Sequence, residues 1–121
     1  MLQIAAWLLF ILGITHVVFG IIRFKAPISA AVAEGFVGKF AGNDTRRLAF
    51  WFIIIGPMVA FAGQVALHAI AGGDLGLIRM IGLYLLGTGL VGVLAFPASP
   101  LWAVLVLAPV FIAVGYGWLP A

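Results

Sequence analysis

From Met80 to Ala121 the chain runs for 42 residues without one Asp, Glu, Lys, Arg or His. A water-facing fold cannot be built from such a stretch, because soluble domains carry about one charged residue in four. It is too long for one membrane crossing of about 20 apolar residues and about right for two. Phe96-Pro97-Ala98-Ser99-Pro100 supplies the break, since two prolines and a serine mark a turn. The remainder has the same character: over the whole chain 66% of residues are hydrophobic and 7% are charged. That balance excludes a soluble globular domain, and it excludes disorder, which needs low hydrophobicity and high charge. An all-α integral membrane protein is left.

The reading places span one at about Leu2–Ile22, span two at Leu48–Ala71, span three at Leu75–Phe96 and span four at Leu101–Leu119. These make a four-helix bundle in one membrane domain, residues 1–121. Span one reads as retained rather than as a cleaved signal, because it lacks a basic start and exceeds the usual ~7–15-residue apolar core. Residues 27–42 form a separate interfacial segment. Pro27 suits the first turn of a helix, and Ile28, Val32, Phe36 and Phe40 recur every four residues beside Glu34 and Lys39. That pattern fits a short helix lying in the membrane surface. Gly35, Gly38 and Gly42 weaken it, so a partly ordered loop packed on the bundle stays open. Asn43-Asp44-Thr45 offers capping groups for span two.

Charge placement gives an orientation. Arg23, Lys25, Lys39, Arg46 and Arg47 lie in or beside the first loop, and only Arg79 lies opposite. By the excess of basic residues the first loop is expected in the cytoplasm and both termini outside. The net charge of +3 is expected to face lipid headgroups of the bilayer, not nucleic acid. Arg46-Arg47 beside Phe50-Trp51-Phe52 reads as an anchor and topology signal, with a specific lipid-headgroup site as the weaker alternative. Trp51 and Trp102 fall near one interface.

Helical wheels separate packed faces from lipid-facing ones. In span one Ala5, Ala6, Leu9, Gly13, His16 and Gly20 share a face opposite Trp7, Ile11, Ile14, Val18 and Ile22. Small residues let helices approach closely, so the first face points inward. Gly56 and Gly63 mark the equivalent face of span two, with Gln64 beside it and Pro57 expected to bend the helix. Gly82, Gly89 and Gly92 form a glycine-rich seam on span three. Span four is apolar all round and is expected to be the most lipid-exposed.

His16 lies about six residues, ~9 Å, inside the end of span one. Ionisable residues at such depth are rare and often functional, which admits a proton relay, a haem or metal ligand, or a quinone hydrogen bond. The plainer alternative is a neutral imidazole hydrogen-bonded across helices to Gln64, Thr88 or a backbone carbonyl. Arg79 either snorkels to the headgroups, pairs with Asp74 or holds an anion. His16, Gln64, Arg79 and Thr88 are therefore the candidate binding residues.

No carboxylate falls inside a span, and there is no cysteine. Both facts argue against an enzyme, because a catalytic site gathers polar groups. Two histidines are too few for a dihaem cytochrome. Small multidrug exporters depend on a carboxylate in their first span, which is missing. No cofactor and no metal is expected.

Gly13-x-x-His16-x-x-x-Gly20, Arg46-Arg47-Leu48-Ala49-Phe50-Trp51-Phe52 and Pro97-Ala98-Ser99-Pro100-Leu101-Trp102 occur in this order. Together they resemble a family of short bacterial four-span membrane proteins known only as a domain of unknown function, and distantly the DoxX-like group. Pro100 stands where that pattern would carry a glycine or another small residue. The resemblance implies a four-helix bundle in a bacterial plasma (inner) membrane and supplies no substrate. The expected function is a non-enzymatic binding or auxiliary subunit for a partner protein, a lipid or a hydrophobic small molecule. Three glycine-rich faces suggest a homo-oligomer or a membrane complex. A small transporter or channel using His16 is the alternative, and a haem- or quinone-linked redox subunit comes third.

Overall fold

The computed structural model describes every residue from Met1 to Ala121. The chain is all-α, with five helices in the order α1 (Leu2–Arg23), α2 (Lys25–Ala33), α3 (Asp44–Gly72), α4 (Leu75–Ala95) and α5 (Leu101–Gly115). Of these, α1, α3 and α4 are long and apolar enough to cross a membrane.

Span four needs correcting. Its helix stops at Gly115 rather than Leu119. Fifteen residues rise ~22 Å, short of a hydrocarbon core of ~30 Å. The stop is a glycine cap. Gly117 takes φ +79°, which costs other residues steric strain. Its N–H donates to the Val114 carbonyl (3.0 Å), while Trp118 N–H donates to the Ala113 carbonyl (2.8 Å). These are the two bonds of a Schellman ending, and they close off carbonyls the helix leaves free.

The same device shortens the interfacial segment. Its helix covers Lys25–Ala33, and turns follow from Glu34. Gly35 has φ +108°. Phe36 N–H reaches back to the Ala31 carbonyl at 2.8 Å, and Gly35 N–H to the Val32 carbonyl at 3.1 Å. The four-residue stripe is thus half helical: Ile28 and Val32 lie on α2, whereas Phe36 and Phe40 lie on the turns beyond it.

Two compact units divide the chain, one of Met1–Phe10 with Ala62–Ala121 and one of Ile11–Phe61. In the first, Phe10 packs on Gly63, where a Cβ would stand 2.4 Å from the Phe10 nitrogen. Asp74 joins α3 to α4: its N–H donates to the Ala69 carbonyl, and its carboxylate caps α4 by accepting from Leu77 N–H at 3.0 Å. Along α4, Gly82 faces Ile112, Gly89 faces Leu105 and Gly92 faces Leu101. On α5 the buried residues are Val104, Ala108, Phe111, Val114 and Gly115. Span four therefore owns a packed face, contrary to the expectation that it is the most lipid-exposed. A wholly apolar helix gives no wheel contrast by which to find that face. The turn between α4 and α5 is tied by the Trp102 indole N–H, which donates to the Pro97 carbonyl at 2.7 Å.

In the second unit, Gly13 and Gly56 bring α1 and α3 backbone to backbone. A Cβ on Gly13 would lie 2.3 Å from the Ala60 nitrogen, and one on Gly56 would lie 2.8 Å from the Gly13 oxygen. Helix α3 begins at Asp44, one turn before the apolar run that starts at Leu48, and Asn43 caps it by accepting from Arg46 N–H at 3.0 Å. Starting there puts Arg46 and Arg47 on the helix itself.

Candidate functional site

The deep histidine and the arginine pair both lie in the Ile11–Phe61 unit. His16 is half-buried on α1. Its ring stacks on Phe52 of α3, with centroids 4.0 Å apart and planes 18° apart. Nε2 is buried and has no hydrogen-bond partner. The expected bond from that nitrogen to Gln64, Thr88 or a carbonyl is not made. The stacked ring covers the imidazole face and leaves the in-plane Nε2 unpaired, and Phe52 also meets Phe24 at 5.4 Å and closes on Gly20. Phe52 was legible only as an interfacial aromatic, because its partnership depends on how α1 and α3 meet.

Gln64, Thr88 and His68 are exposed. Arg79 sits partly covered on α4, with its guanidinium carbon 4.9 Å from the centre of the Tyr116 ring. It makes no ion pair with Asp74, whose carboxylate is committed to the α4 cap. A cation over a ring face is attracted by the ring quadrupole, which gives Arg79 a local structural partner. No three His, Asp or Glu side chains gather where they could hold a metal ion.

The α2–α3 connection carries a different kind of site. Here the turn after α2 and the first turns of α3 enclose an open groove of about 540 Å³. Phe36, Val37 and Phe40 line it from the turn, and Arg47, Phe50 and Trp51 from α3, with Gly38 and Ala41 completing it. The aromatic wall is continuous: Phe36 to Phe40 at 5.3 Å, Phe40 to Phe50 at 5.7 Å and Phe50 to Trp51 at 5.4 Å. Volumes of about 300–1,000 Å³ with mostly apolar walls and a few polar groups are usual for small-molecule sites.

Two adjacent arginines serve this groove differently. Arg46 staples the turn: Nη2 pairs with the Glu34 carboxylate, and Nη1 donates to the Lys39 carbonyl at 3.0 Å. The hydrogen bond from Arg46 and then its charge hold the Glu34 carboxyl below its ordinary value, with a smaller pull from Lys39. Arg47 has only Asp44 nearby, at 3.8 Å, and 57% of its side chain is exposed against 18% for Arg46. In sequence the two residues form one basic pair. Only the position of Glu34 and the Lys39 carbonyl tells them apart.

No curated protein and no solved structure matches this chain. Over residues 2–117 it matches a family of unknown function (DUF6463), and it belongs to that family.

Proposed function

We propose that this family member is a non-enzymatic membrane protein that binds an amphiphilic or hydrophobic molecule of the bilayer in the groove between the α2–α3 turn and the start of α3. The observation that carries the reading is the groove itself, an apolar aromatic trough with one arginine on its wall. Apolar chain length fits against Phe36, Phe40, Phe50 and Trp51, and a polar end fits beside Arg47. The protein works as an auxiliary or binding subunit and needs no cofactor for this role.

Filling the groove tests the reading. Ala41 is exposed and lines the groove, so Ala41→Trp occupies the space without disturbing a helix. Purified wild type is expected to retain an amphiphile in fixed molar ratio after detergent exchange, and the variant to lose most of it. Equal retention by both would contradict the reading.

The setting we propose is a bacterial inner membrane with the first loop cytoplasmic and both termini outside. The basic residues around the groove support it. A C-terminal reporter that works only in the cytoplasm should be silent. A homo-oligomer, or a complex with another membrane subunit, belongs to the same reading. It would use exposed apolar faces, because the seam glycines Gly13, Gly20, Gly56, Gly63, Gly82, Gly89 and Gly92 each meet a neighbour within the chain.

A second reading, a small transporter or channel, is favoured by the buried, unpartnered Nε2 of His16. Solute or proton flux in liposomes that disappears with His16→Ala would support it over simple binding.

A further inference from the structure

We infer that the groove takes an anionic phospholipid, with its phosphate on Arg47 and the start of an acyl chain along the aromatic wall. This rests on the binding reading above and adds the ligand class and the residue that selects it. Three observations lead there.

The first is the division of labour between the arginines. Arg46 is occupied, since its two terminal nitrogens are taken by Glu34 and the Lys39 carbonyl. Arg47 is the unsatisfied one. Its single acidic neighbour stands 3.8 Å away and is itself fully exposed. A guanidinium presents planar donors that match phosphate oxygens in pairs, and it stays charged at any physiological pH.

The second is the wall. Arg47 shares one lining with four aromatic side chains and Val37. A free phosphate would satisfy the guanidinium and leave that apolar surface empty. A lipid without a phosphate would fill the surface and leave the guanidinium unanswered. An anion joined to a hydrocarbon chain satisfies both.

The third is the surrounding charge. Lys39 and Arg46 flank the site, Arg23 ends α1 and Lys25 begins α2, whereas the nearby acids are Glu34, already paired, and Asp44. Basic clusters beside membrane spans attract anionic lipid by about 1 kcal/mol per residue, which corresponds to roughly fivefold in affinity.

The test is a titration of the full chain in mild detergent with phosphatidylglycerol or phosphatidylcholine of identical acyl chains, counting bound lipid by native mass spectrometry. Wild type is expected to prefer phosphatidylglycerol at least about fivefold. Arg47→Gln should lower the preference about fivefold while keeping a bound lipid, and Arg47→Lys should restore part of it. Arg79→Gln, which removes the same charge outside the groove, should leave the preference intact. Binding of both lipids without preference in wild type would overturn the choice of an anionic lipid and leave the amphiphile reading standing. So would an equal loss in Arg79→Gln. Failure to bind either lipid would overturn both.

Discussion

Glycine does opposite work in the α4–α5 hairpin and in the turn that follows α2. Along the hairpin, Gly82, Gly89 and Gly92 are spacers: a Cβ at any of them would meet the opposite helix within 3.0 Å. Beyond α2, a Cβ at Gly35, Gly38 or Gly42 would meet nothing within 4 Å. There Gly35 and Gly38 are turning points, at φ +108° and +72°. The first region is held by close packing of helix on helix. The second is held by turn hydrogen bonds, by the contact of Phe40 with Phe50 and by the bonds of Arg46 to Glu34 and the Lys39 carbonyl, and leaves an open trough. The proposed binding groove lies where the chain is not packed helix on helix.

Substitutions can break this contrast. Gly89→Ala drives a methyl to 2.9 Å from the Leu105 Cα. Overpacking of this kind costs about 1–3 kcal/mol, to be read as a lowered unfolding midpoint in detergent. Gly35→Ala meets no neighbour but must hold the left-handed conformation, at about 1–2 kcal/mol. Its effect should be confined to the turn, seen as faster amide exchange over residues 34–43 with little change in the midpoint. A comparable loss of midpoint in both variants would erase the distinction.

The ion pair makes the turn sensitive to acid. Glu34 is held below its ordinary value, near 4.3, by Arg46. A carboxyl depressed in the folded state stabilises above its unfolded value, and that contribution is lost as pH falls through the folded one. Protection of the amides of residues 34–43, taken relative to their intrinsic exchange at each pH, should therefore be flat from neutral pH to about 4.3 and fall below it. Glu34→Gln should show the lowered protection throughout. The smallest effect belongs to Gly42→Ala, which has neither a close neighbour nor a positive φ and should stay within about 0.5 kcal/mol of wild type.

Much of the helical layout was legible because it follows from long apolar runs and their punctuation. The α3–α4 junction was written in Gly72-Gly73-Asp74, and the α4–α5 break in its two prolines. The covered face of α1 was legible too: Ala5, Ala6 and Leu9 are buried while Ile11, Ile14 and Val18 are exposed, a contrast of size that a wheel detects. Helix ends were harder. Gly35 and Gly117 are helix stops, yet in sequence Gly35 reads as a weak helix position and Gly117 as part of an apolar run. Capping is a matter of φ and two hydrogen bonds, not of hydropathy. The packed face of α5 was hidden for a related reason, since a helix with no polar side has no contrast to read.

The site was legible in part. Arg46, Arg47 and Trp51 stood out by charge and aromaticity at a span boundary. That Phe36 and Phe40 leave the helix and turn toward Phe50, and that Glu34 claims one arginine and frees the other, required the path of the chain through the turn. His16 stood out by depth, but its stacking partner Phe52 came from the meeting of two helices.

The most direct test of the central claim is photo-crosslinking with a phospholipid that carries a diazirine on its acyl chain, followed by mapping of the labelled residues. The account predicts that label concentrates on the groove residues between Phe36 and Trp51 at low lipid fractions and is displaced by Ala41→Trp. Label spread evenly over the exposed apolar residues Leu83, Leu94 and Val106, unaltered by Ala41→Trp, would contradict it.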